Sequence, residues 1–184
     1  MAIATEHPGD AIALLQECLA GDPEEAGTYH EAQAQVHLMH QQIPQMFAAF
    51  DRALGKYGFG MMAHGAMQYA FLVGLYRDET RYRRALDLLK GWDRKAMLAL
   101  MRRFDKSFGG NAGEAMILFE MGKRKQAIKP ARRALEQAMA EHGPIPGYPE
   151  LGRVPNLPYA IRNRLMVIAD LWNEDIMGPR PTLD

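Results

Sequence analysis

The stretch YHEAQAQVHLMHQQIPQMFAAF, Tyr29 to Phe50, carries the longest unbroken periodicity in the chain and holds three of its six histidines. Apolar or small residues fall at Tyr29, Ala32, Val36, Met39, Ile43, Met46, Phe50, Ala53 and Tyr57, in alternating steps of three and four. That spacing places them along one stripe of a helix. The register runs through Pro44, so it predicts one long helix kinked at the proline, which lacks an amide donor and crowds the preceding turn. Two helices meeting at Gln42 are the alternative.

The helix opens well. Asp22-Pro23-Glu24-Glu25 supplies an N-cap carboxylate, a proline in the first turn and two acids at the positive end of the dipole. His30 and His37 flank the stripe seven residues apart, and His40 lies one turn beyond His37. A His-x-x-His pair is a weak metal signature, and neither a Glu-x-x-His pattern nor a cysteine cluster supports it. The expectation is a polar flank without metal or cofactor. A metal or haem protein using His30, His37, His40 or the more isolated His64 is the alternative.

Outward from this stretch the pattern stays helical. Apolar residues nearly surround Met61 to Tyr76, which predicts a central buried helix. Asp78 or Thr80 opens another, Asp93 caps a further one, Gly109-Gly110 reads as a turn, and Ala112 to Met121 is a short helix ended by Gly122. A helix then runs to about Glu141. Five prolines between His142 and Pro158 predict a stiff, extended connector. The last helix, Tyr159 to Asn173, carries Ile161, Leu165, Ile168 and Trp172 on one side. No alternating strand pattern competes.

The fold class is therefore all-α: a single globular multi-helix domain of about six or seven helices, with a proline-rich extended connector before the last helix. The expected divisions are residues 1–141, 142–158 and 159–184. Between Ala112 and Ala138, the small residues Ala115, Ala127 and Ala134, with Gly122 at the turn, make the segment resemble one tetratricopeptide repeat. It departs from that family at Ala131, where an aromatic is usual, and no second copy follows. The resemblance implies a packed helical hairpin and no particular function.

Charge narrows the function. The chain is neutral overall, yet residues 1–57 hold eight acids and two bases (net −6), and residues 77–106 hold ten bases and five acids (net +5). Such asymmetry suits closure of one molecule on itself, head-to-tail self-association or an acidic partner. One cysteine, Cys18, excludes an internal disulfide and suits a reducing compartment, so a cytoplasmic protein outside the membrane is expected. No nucleophile elbow, phosphate-binding loop or zinc-protease signature is present, and no catalytic residue is expected.

The leading expectation is a non-catalytic helical interaction or assembly protein that binds itself or a protein partner. Its candidate contacts are the arginine pairs Arg83-Arg84 and Arg102-Arg103 and the stripe Ile161, Leu165, Ile168 and Trp172, docked on a neighbouring chain or partner, with docking on its own domain the alternative. Nucleic-acid association through the basic 77–133 region is a further alternative.

Overall fold

The computed structural model describes residues 7–56, 63–98, 107–140, 154 and 156–183, the side chains of 56, 63, 64 and 92–98 excepted. Among these the chain is all-α. Nine α-helices and two short 3-10 turns are present, with no strand, which is more helices than the periodicity separates. The chain forms two compact units, residues 1–65 and 66–184. The expected boundaries lay instead around a connector whose residues 142–153 and 155 fall outside the described residues.

The first unit is built from α1 (Pro8–Gly21), α2 (Ala26–Met39) and α3 (Ile43–Lys56). α2 and α3 form a hairpin, with α1 against α2. The kinked long helix is thus replaced by two helices joined by His40, Gln41 and Gln42. The reason is local. Gln41 takes a left-handed backbone, φ 56°, and the amides of Gln41 and Gln42 donate to the carbonyls of Leu38 (3.0 Å) and His37 (2.9 Å).

These bonds satisfy carbonyls that the end of α2 leaves open, and the left-handed residue turns the chain back. Pro44 becomes the second residue of α3, where a missing amide costs no helical bond. The stripe divides accordingly. Met46, Phe50 and Ala53 are fully buried on α3, whereas Met39 is 50% exposed.

The second unit holds α4 (Ala63–Leu75, its first residues belonging to unit 1), α5 (Tyr82–Leu98), α6 (Phe108–Glu120), α7 (Arg124–Met139), α8 (Tyr159–Ile168) and the single turn α9 (Glu174–Met177). Asp93 does not start a helix, because α5 passes through Gly91 and Asp93 without a break. Gly109 and Gly110 are not a turn either. They sit in the first turn of α6, with extended Ser107 before them.

The α6–α7 hairpin turns at Gly122, φ 73°. The Lys123 amide there donates to the Leu118 carbonyl at 2.9 Å, the same closure seen after α2. Ala115, Ala127 and Ala134 are fully buried.

α4 and α6 meet backbone to backbone. A Cβ built on Gly113 would lie 2.5 Å from Ala70 C and from Phe71 N, and one on Gly74 would lie 3.0 Å from Met116 Cβ and 3.2 Å from the Gly113 carbonyl. Only glycine fits at position 113. Phe71 and Phe108 flank the crossing with ring centroids 5.9 Å apart, and Val73, Met116 and Ile117 fill the core around it.

Gly113→Ala should therefore cost at least about 3 kcal/mol, since two backbones must part. Gly74→Ala should cost less, about 1 kcal/mol, because its Cβ falls only a few tenths of an ångström too close to Met116 Cβ and the Gly113 carbonyl, and alanine favours the helix. Urea unfolding followed by helical circular dichroism checks this order, and equal effects would deny the close crossing.

Candidate functional site

The sequence-derived candidates do not gather in one place. His30 Nδ1 lies 3.0 Å from Gln33 Oε1, and His37 Nδ1 lies 2.7 Å from Gln42 Oε1. Each amide oxygen only accepts, so each ring donates from Nδ1. Gln33 is buried, so His30 satisfies a core amide, while His37 ties across the α2–α3 turn. His40 stands in that turn, and the His64 side chain is outside the described residues. Among the described residues no three histidine, cysteine, aspartate or glutamate side chains converge as metal ligands. No described helix is long and apolar enough to cross a membrane.

Many of the cations in the basic region are engaged within the second unit. Arg81 donates to Asp78, Arg84 lies 5.9 Å from the Tyr69 ring centroid, and Arg132 Nε donates to the Ala169 carbonyl at 3.2 Å. Arg83 is exposed. Arg102 and Arg103 are outside the described residues.

The stripe of the last helix is internal. Leu165 and Ile168 are buried, Ile161 is half-buried, and α8 packs on α6 and α7 of its own unit. Of the two dockings expected for this stripe, the buried Leu165 and Ile168 lie on the one within its own unit. The helix also ends at Ile168, before Trp172, whose indole donates to the Gly178 carbonyl at 3.0 Å.

The charged centre of the unit is Arg164, which the pattern of α8 did not single out. Its guanidinium donates to the Gly74 carbonyl (3.1 Å) and to Glu120 Oε1 (2.6 Å). Gly74 and Glu120 close α4 and α6, so one cation meets two helix C-termini, where the dipoles are negative and carbonyls lack partners. Arg77 Nε stands 3.5 Å from the same Glu120 oxygen.

Burial pulls the Arg164 guanidinium below its ordinary value, opposed by the bond to Glu120. The neighbouring Tyr82 phenol is pushed up, first by burial and then by the Glu120 charge, and stays protonated. The sequence signal for Arg164 was an arginine between the apolar residues of a short helix.

Beside this centre lies a cavity of about 490 Å³. Phe119, Ile128, Val167 and Ile168 form its apolar wall, and Arg124 and Asp170 add charge. Arg124 lies 5.4 Å from the Phe119 ring centroid. Arg180, Pro181 and Leu183 complete the lining, from a segment with no regular structure, residues 178–183.

Arg77 Nη2 donates to the Leu183 carbonyl. Arg180 Nη2 lies 3.8 Å from Asp170 Oδ1. Both holding residues are left-handed, Arg77 at φ 54° and Asp170 at φ 56°. This arrangement can bind an extended segment through apolar contact, an ion pair and a backbone carbonyl. No family model matches the chain, and neither the curated proteins nor the solved structures contain a match.

Two outcomes follow from the charged groups. Glu120→Ala, which strands Arg164, should cost about 3 kcal/mol, and adding Arg164→Met should recover at least half; a double-mutant cycle in urea shows whether the pair is coupled.

Asp78 supplies the pH test. Burial alone would raise its carboxyl, but bonds from Thr80 and Arg81 outweigh that and hold it below its ordinary value. Its stabilisation is then present above about pH 4 and lost as pH falls through the lower folded value. The stability gap between the wild type and Asp78→Asn should be level from about pH 5 to 7 and close in acid. A gap that widens in acid would contradict this.

Proposed function

We propose that the chain is a non-catalytic helical interaction protein whose second unit binds an extended protein segment in the groove of α6, α7 and α8, with copies of itself as the first partner. One observation carries the reading: Arg180, Pro181 and Leu183, from a segment of the chain's own sequence without regular structure, line the same cavity as Phe119, Ile128 and Val167, and Arg77 and Asp170 tie that segment to the unit. A surface that holds an irregular segment in cis has the chemistry to hold one in trans.

Exposed apolar side chains beside it favour association. Leu171 is 48% exposed and Ile176 is 80% exposed, both between α8 and the seated segment. Water tolerates such groups singly, but neighbouring ones lower their free energy when covered. The internal use of Arg77, Arg81, Arg84 and Arg132 leaves the nucleic-acid alternative with weaker support than the groove.

Sedimentation velocity of the full chain from about 1 to 200 μM should show the mass rising towards that of a dimer. A monomer at every concentration would overturn self-association as the function.

A further inference from the structure

The segment beside the groove is held by polar contacts at its two ends and one exposed ion pair between them. It has no regular structure. The Trp172 indole donates to its Gly178 carbonyl, Arg77 grips its Leu183 carbonyl, and one ion pair at 3.8 Å, its members 45% and 71% exposed, joins Arg180 to Asp170. An exposed ion pair of this length contributes little stability. Pro181 and Leu183 are the rest of the cavity lining from this segment. The segment leaves α9 through Gly178, φ 77° and ψ −171°, with open space where a Cβ would be. That backbone geometry is strained for other residues, and glycine can leave it at small cost.

Two further observations single the segment out. Arg77 and Asp170, its two charged holders, occupy the left-handed positions that end α4 and α8, where Gly122 ends α6. Each non-glycine residue there costs the fold some stability. Each has a side chain that grips the segment. The second observation is Ile176, 80% exposed on the single turn that carries the segment outward.

We infer that residues 178–183 are an exchangeable strap: they close the groove of their own chain in the monomer and the groove of a second copy in an assembled pair. The inference rests on the groove-binding reading above and names its occupant. A second copy's strap fits by construction, because it offers the same arginine to Asp170, the same carbonyl to Arg77 and the same Pro181 and Leu183 to the apolar wall. Exchange leaves these contacts unchanged in number, and the gain comes from the segment between α8 and the strap. Leu171 and Ile176 of the two copies then cover one another. Closure in cis competes with closure in trans, so the strap also limits the assembly it makes.

A charge exchange in full-length chains tests this. In Asp170→Arg the strap's Arg180 meets a like charge in its own groove, and in Arg180→Asp the substituted strap meets Asp170. Each variant alone is mispaired in cis and in trans. Mixed together, both straps pair correctly only across chains.

With the two variants carrying different fluorophores, energy transfer should report hetero-association roughly tenfold tighter than the self-association of either. It should also be tighter than that of the wild type, whose cis closure competes. Both positions are exposed, and helical circular dichroism should match the wild type. Ile176→Asp gives a second reading: it should weaken wild-type association with helicity unchanged.

A mixture no tighter than its components, or an Ile176→Asp chain that associates as the wild type does, overturns the strap. If the wild type still dimerises, the groove-binding reading stands without it. If the wild type remains monomeric and the mixture shows no association, both fall.

Discussion

Gly113 lets the backbone of α6 touch that of α4, and the second unit depends on this contact. A side chain at that point would hold the helices apart by about the width of a methyl group, so the effect would reach the ends of both helices. Gly74 and Glu120 stand near those ends. Arg164 reaches both at 3.1 and 2.6 Å because the crossing has brought them within the span of one guanidinium. Arg77 leaves α4 at the same end and finds Glu120 on one side and the strap's Leu183 carbonyl on the other. The groove inherits its geometry from a glycine that has no contact of its own with the strap.

Two arginines of this unit, Arg164 and Arg132, follow one electrostatic rule. A helix C-terminus offers unpaired carbonyls and partial negative charge, and a guanidinium carries enough donors to satisfy several at once. Arg164 serves α4 in this way through the Gly74 carbonyl while pairing with the Glu120 carboxylate at the end of α6, and Arg132 serves the end of α8 through Ala169. Part of the positive excess over residues 77–106, which reads in the sequence as an invitation to an acidic partner, is spent within the unit: Arg77 on Glu120 and the Leu183 carbonyl, and Arg81 on Asp78. Burial of Arg164 would be costly for a lone charge, and it is tolerated because Glu120 accompanies it.

The helical class was legible because periodicity of three and four is a property of each segment alone. Gly122 and the alanines Ala115, Ala127 and Ala134 exposed the α6–α7 hairpin in the same way, since a left-handed turn and a close helix pair both constrain residue type. Gln41 hid the α2–α3 turn, because glutamine is not the residue that position favours and the stripe happened to keep its register across three looped residues. The groove had no local signature. Its residues come from α6, α7, α8 and the strap, far apart in sequence, and Arg164 gains its meaning only from carbonyl and carboxylate groups on two other helices. Glycines 74 and 113 were visible as glycines, but the helices that meet at them are not neighbours along the chain.

Four helix ends share one closure, and the residues in the left-handed position separate structure from interaction. Gly122 meets the steric demand at no cost and has no side chain to offer. Gln41 joins α2 to α3 with a polar side chain exposed to solvent. Arg77 and Asp170 bear the same steric penalty while their side chains reach the strap. Glycine at either position would relieve about 1 kcal/mol of backbone strain and at the same time remove a grip on residues 178–183. Stability and retention of the strap therefore oppose each other at these two residues, which grip it at Leu183 and Arg180 while Trp172 holds its Gly178 carbonyl.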